Sequence, residues 1–210
     1  MAGMIQLNIR DGITPDLQRR LDLLRDTRPI LAAAGKALEV ALISEFRRLD
    51  REHPNKMGWP RQHFWNRRVA QKTMLTAVDA RSATVSVSSP EFMHWIQGGT
   101  ITPKRGKTLA IPANGEAYAL GGPRASGRDY QFLLLAQGNL VGALLKPETY
   151  KIKGHKMQGG EVMYWLVRSV TQAADPSVDP GQNESMRTRI SAAVSRAVTS
   201  ALNRIIGSRH

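Results

Sequence analysis

The apolar positions of the chain first recur at a period of two. Between residues 4 and 10, Ile5, Leu7 and Ile9 alternate with Gln6, Asn8 and Arg10, which predicts a half-buried strand. Asp11-Gly12 ends it. Thr14 followed by Pro15 starts a helix, with a hydroxyl cap and a proline at the first helical position, and Leu17, Leu21 and Leu24 carry it to about Arg25. A second helix restarts at Thr27. Its stripe runs through Leu31, Ala34 or Gly35, Leu38, Leu42, Glu45 or Phe46, and Leu49, with Arg47, Arg48 and Arg51 lying off it. From Pro29 to Asp50 it would form a rod about 33 Å long at 1.5 Å per residue.

The pattern changes from His53 to Arg68, where two prolines and a glycine exclude a long helix. Period-two alternation returns in Lys72–Ala80 and Ala83–Ser88, a hairpin separated by Arg81-Ser82. Pro90–Gln97 reads as one short helix, closed by Gly98-Gly99. A long basic loop, residues 98–128, follows; it holds seven glycines and one strand-like piece, Thr108–Pro112. Tyr130–Ala136 and Leu140–Leu145 form a second hairpin around Gln137-Gly138-Asn139. Lys151–Gly160 is polar and glycine-flanked. Glu161–Thr171 is apolar on both faces and is therefore expected at the centre of a sheet. After the turn Asp175–Gly181, Asn183 caps a last helix to about Ile206, with the stripe Met186, Ile190, Val194, Ala197 or Val198, Ala201 and Ile205. The order β-α-α-ββ-α-β-ββ-β-α is that of an α+β fold and not of a parallel α/β sheet. Residues 1–180 are expected as the core domain, including the loop, and 181–210 as a C-terminal helical arm.

Composition narrows the classes. The 210 residues include 30 Lys plus Arg against 17 Asp plus Glu, a formal charge of +13, and no cysteine. Disulfide scaffolds, Cys-ligated zinc and cysteine nucleophiles are excluded. The start lacks the basic and apolar regions of a signal peptide, and no apolar run approaches the roughly 18 residues of a membrane span. The expectation is a soluble protein made in the cytoplasm, with no membrane partner. The charge points to anionic partners.

Candidate chemistry is sparse. His53, His63, His94, His155 and His210 are scattered without metal-ligand spacing, so no metal and no cofactor is expected. No nucleophile elbow, Walker loop or paired carboxylate set is present, and no enzyme is expected. Two basic stretches have two readings each. Trp59, Phe64 and Trp65, among Lys56, Arg61, Arg67 and Arg68, could stack on bases or could anchor the loop onto a core. The loop with Lys104, Arg105, Lys107, Arg124 and Arg128 could grip phosphate or serve as an inter-subunit arm.

The stretch Pro90-Glu91-Phe92-Met93-His94-Trp95-Ile96-Gln97-Gly98-Gly99-Thr100-Ile101-Thr102-Pro103-Lys104, followed by Lys107–Pro112, resembles the signature of Mu-type virion morphogenesis proteins of tailed bacteriophages. These group with tail-completion and head–tail joining proteins. A helix with His, then Gly-Gly, a basic segment and a Leu-Ala-Ile-Pro strand make up the likeness. Gly58-Trp59-Pro60 and Ala174–Pro180 extend it over nearly the whole chain. One departure is the absence of an Ile-Pro-Ala-Arg-Pro-Phe stretch before the last strand, where only Gly154–Gly160 stands.

The resemblance implies a mainly antiparallel mixed sheet with helices packed on one face, assembled as a homo-oligomeric ring, expected to be a hexamer. It implies a virion location, in the neck or head-proximal tail, after assembly in the host cytoplasm. Portal-side, neck and tail-tube proteins would be the neighbours, with non-specific DNA contact in the lumen. His94, Gly98, Gly99, Pro103, Lys104, Ile111 and Pro112 are then the assembly motif. Lys104, Arg105, Lys107, Arg124 and Arg128 are candidate contacts to DNA or an acidic partner. The alternative is a basic nucleic-acid-binding protein acting outside the particle.

Overall fold

The helical stripe in the first third of the chain predicts a rod with one buried side, and the structure forms it as α1 (Arg28–Glu52), burying Gly35, Leu42, Glu45, Phe46 and Leu49. The computed structural model describes residues 25–52, 57–59, 62–153 and 156–207, together with Gln18 and Leu21. The strand expected over 4–10 lies outside the described residues. So does most of the helix expected from Thr14, of which Gln18, Leu21 and Arg25 are described and helical.

After α1 a π-helical turn, Trp65–Val69, and a 3-10 turn, Ala70–Lys72, lead into the hairpin β1 (Thr73–Val78) and β2 (Ala83–Val87). Asp79 closes that hairpin by accepting the backbone N–H groups of Arg81 and Ser82 at 2.6 and 2.8 Å. Gly35 lets α1 lie directly on it, because a Cβ there would stand 2.7 Å from Leu75 Cδ1 and 2.9 Å from Ala83 Cβ. Next comes α2 (Pro90–Gln97), started by Ser89, whose hydroxyl accepts from Phe92 N at 3.2 Å, and by a proline in its first turn.

The 98–128 excursion carries more order than its glycines suggest. β3 (Gly99–Ile101), β4 (Leu109–Pro112) and α3 (Gly115–Ala119) lie within it. Asn114 caps α3 through a 2.9 Å bond from Ala117 N. The remaining elements are β5 (Gln131–Gln137), β6 (Leu140–Leu145), β7 (Tyr150–Lys153), β8 (Lys156–Gly159), β9 (Val162–Val167), β10 (Val170–Gln172) and α4 (Glu184–Gly207). Asn183 caps α4 by accepting from Met186 N at 3.0 Å.

The fold is α+β, with antiparallel sheets and a C-terminal helix. Every strand pairing is antiparallel, and the strands fall into one four-stranded sheet, order β4-β9-β6-β5, and the pairs β1-β2, β3-β10 and β7-β8. β9 is an inner strand, as its two apolar faces predict. The single strand expected over Glu161–Thr171 is divided at Arg168-Ser169. There Asn139, from the β5–β6 turn, accepts from Ser169 N at 3.1 Å and donates to Ser169 O at 2.7 Å. Those bonds replace ladder bonds, so β10 is free to leave the sheet and pair with β3. The Lys151–Gly160 stretch, left without structure by its polarity, forms the β7–β8 hairpin.

Two clusters hold the molecule. The larger joins Leu42, Phe46 and Leu49 of α1 to Trp65, Val69, Phe92, Val178, Met186 and Ile190. Phe46 and Phe92 meet edge to face at 5.1 Å between ring centres, a favoured aromatic geometry. α1 and α4 pack on each other and are clamped by Arg189, which donates to the buried Glu45 carboxylate at 2.7 and 2.8 Å. The long helices thus cover one another and the β1–β2 hairpin. The four-stranded sheet has its own small core, Ala117, Met163 and Tyr164 beneath α3, where the Tyr164 hydroxyl donates to Ala117 O at 3.0 Å. Burial pushes that hydroxyl's pKa up to about 12.

Candidate assembly corner and basic turn

The motif of residues 90–112 folds as a corner. α2 ends where Gly98 N donates to His94 O at 2.8 Å, and Gly98 then takes φ +68°, ψ −165°, a backbone region open in practice only to glycine. A Cβ at this position would lie 2.6 Å from Ala174 N and 2.8 Å from Gln172 O. The chain therefore passes directly against the backbone that follows β10. β3 continues from Gly99 and pairs with β10, Gly99 opposite Gln172, while Asp175 N donates to Trp95 O at 2.9 Å. These bonds fix the end of α2 to residues 170–175 from both sides.

His94 belongs to this corner. Its ring lies beside Gly99, whose Cβ would be 3.4 Å from His94 Cε1, and its Nε2 is buried without a hydrogen-bond partner among the described residues. Pro103 is half-buried after β3. Beyond it Lys104, Arg105 and Lys107 are exposed on a turn, with no ion-pair partner among the described residues. Ile111 and Pro112 stand on β4, opposite Trp165 and Tyr164, and so belong to the four-stranded sheet rather than to the β3–β10 pair. The turn Lys104–Lys107 is thus the bridge between two sheets.

The remaining basic candidates separate. Arg124 is exposed. Arg128 is engaged within the chain: Glu116 binds it at 2.6 Å and Lys146 at 2.9 Å, joining α3 to the end of β6. Hydrogen bonds from Lys146 and Arg128 hold the Glu116 carboxyl below the ordinary range of its kind. Trp65 is buried, with ring centres 5.2 Å from Phe64, 5.8 Å from Trp95 and 6.2 Å from Phe92. Its faces are occupied by other rings, so base stacking there would require the first core to open. Trp59 is half-buried and packs on Tyr118 at 5.4 Å.

Three features escape a reading of the residues alone. The Glu45–Arg189 clamp links positions 144 residues apart, and no local pattern announces it. Glu116 joins two cations from different elements, with only its position in the first turn of α3 as a hint. The exposed apolar strand β5 had a signal, the absence of any charged residue from Gln131 to Leu145. Among the described residues no group of three or more His, Asp or Glu is placed to hold a metal ion, and no helix is long and apolar enough to cross a membrane.

No family model, no curated protein and no solved structure matches the chain.

Proposed function

We propose that this protein is a structural subunit of a tailed-bacteriophage particle, a ring-forming neck or tail-completion protein that joins the tail to the DNA-filled head. The sequence resemblance supplies the class. The observation that supports it best is the form of the resembling segment, a rigid elbow with a charged tip. Gly98 is packed against backbone at its base, and Lys104, Arg105 and Lys107 face outward at its end. Such a unit has no substrate pocket to shape. It suits docking, because the bound base fixes direction while the unpaired cations meet acidic neighbours or passing DNA. Portal-side and tail-tube proteins are the proposed partners, in the neck or head-proximal tail.

Particles assembled without this protein test the reading. Filled heads and separate tails, left unjoined, are the expected products by electron microscopy. Supplying the triple variant Lys104→Glu, Arg105→Glu, Lys107→Glu should leave them unjoined as well, although the variant folds. Joined, infectious particles in the absence of the protein would refute the proposal.

A further inference from the structure

β5 has the sequence of an interior strand and the position of an edge strand. Gln131–Gln137 pairs with β6 on one side and with no strand among the described residues on the other. Its central side chains are apolar on both faces, a pattern that belongs to strands flanked on both sides. Yet Phe132 is 47% exposed, Leu134 64% and Leu135 37%. Edge strands are ordinarily protected by lysine, proline or an inward charge. None stands here: Gln131–Leu145 has no charged residue, in a chain with 30 basic and 17 acidic ones. The single protective device is a bulge after Leu134, where Ala136 takes φ +48°, and it leaves the pairing of Gln131–Leu134 regular.

We propose that the free edge of β5 receives a strand from a second copy of this chain, and that this strand is β4. Charge selects the occupant. A partner recognised by its acidity would be drawn to the basic turns, whereas two bodies of formal charge +13 repel everywhere except across neutral surface. β5 is an extended backbone edge of that kind. β4, Leu109-Ala110-Ile111-Pro112, is uncharged too and forms the other free edge of the same sheet. Ile111 is 36% exposed, and beside it a shallow apolar groove lined by Ile111, Leu140, Trp165 and Val167 is open to side chains from an added strand. Joining unlike edges repeats one contact from copy to copy and closes into a ring when the rotation permits. The choice of β4 over a second β5 rests on the ring reading above.

The chain has no cysteine, so engineered ones are unique. The full-length variants Leu134→Cys, Ile111→Cys and the double variant are treated with a short bis-maleimide, with Ser195→Cys on α4 as the exposed control. The double variant should give a ladder of dimers and larger products, and each single variant only monomer. By light scattering the wild type should exceed the monomer mass, and Leu134→Lys should weaken self-association by roughly tenfold or more, since a charge in a desolvated joint is unpaired. Products from Leu134→Cys alone, stopping at dimer, would overturn the pairing with β4. A monomeric wild type, or self-association untouched by Leu134→Lys, would overturn the role of β5 altogether. A chain that assembles through β5 but is dispensable for joining heads to tails would instead refute the proposed function and leave this surface standing.

Discussion

Replacing Gly98 by alanine adds one methyl group at the point where α2, β3 and the segment after β10 converge. Two penalties arise. The first is conformational, since φ +68° with ψ −165° excludes L side chains at about 1–3 kcal/mol. The second is steric. The new Cβ would stand 2.6 Å from Ala174 N and 2.8 Å from Gln172 O, and both are backbone atoms that cannot rotate aside. Relief requires residues 172–174 to retreat, which strains the Gly99–Gln172 pairing and the bond from Asp175 N to Trp95 O. Losing one or two such bonds adds about 0.5–1.5 kcal/mol each. The sum is about 4 kcal/mol, or roughly 8–16 °C in Tm for a chain of this size.

The comparison that isolates the steric part is Gly121→Ala. Gly121 has φ +75° and nothing within 4 Å of a Cβ, so that variant bears the conformational penalty alone, about 1–2 kcal/mol. Thermal unfolding followed by circular dichroism should place Gly98→Ala well below Gly121→Ala, with wild type highest. Equal midpoints for the two variants would show that the backbone contact at the corner contributes nothing, and the elbow would lose its rigid base.

Two further outcomes follow from the ion pairs and the small core. Glu45 is held below the ordinary carboxylate range by the hydrogen bond from Arg189 first and by Arg48 next, against the opposing effect of burial. Its contribution is therefore complete above the unfolded value near 4.5 and fades as pH falls through the lowered folded value. Glu45→Gln should lose about 2 kcal/mol at pH 7, less than a fully enclosed pair because the Arg189 side chain is 43% exposed, and the gap to wild type should shrink towards pH 3. Denaturant titrations at pH 7, 4 and 3 check this; a constant gap refutes it. Tyr164→Phe removes the donor to Ala117 O and should lower stability by about 1 kcal/mol, read by the same titration at pH 7.

The long periodic elements were legible because each carries its own instruction. The stripe from Leu38 to Leu49 needs one buried side whatever packs there, and α1 buries it. The alternation around Val85 and Val87, the cap at Asn183 and the two apolar faces of Val162–Val167 likewise act locally. What escaped depends on distant residues. β3 is three residues long and exists because β10 lies beside it, and β10 is there because Asn139 takes over the bonds at Ser169. The β7–β8 hairpin has no alternating apolar pattern to read, and its strands are held by their own ladder. At the corner, the need for glycine at 98 was foreseeable from the Gly-Gly pair. The identity of the obstacle was not, because Ala174 is 76 positions away and enters only through the fold.

Net charge takes on a different meaning once the acidic residues are followed. Asp26 holds Arg28, Glu39 holds Lys36, Glu45 holds Arg48 and Arg189, Glu52 also holds Arg48, and Glu116 holds Arg128 and Lys146. These carboxylates are spent within the molecule, tying helices and turns together, so the surplus of +13 is left to side chains such as Lys104, Arg105, Lys107 and Arg124 that face solvent. Against that background an uncharged β5 edge is a separate kind of surface. Salt acts on the two in opposite senses. Screening over a Debye length of about 8 Å at physiological ionic strength weakens attraction between the basic turn and an anionic partner. The same screening lowers the repulsion between two cationic copies and so favours the proposed strand joint. A particle built through both surfaces would therefore respond to salt less than its charge alone suggests, because the loss at one contact is offset by the gain at the other.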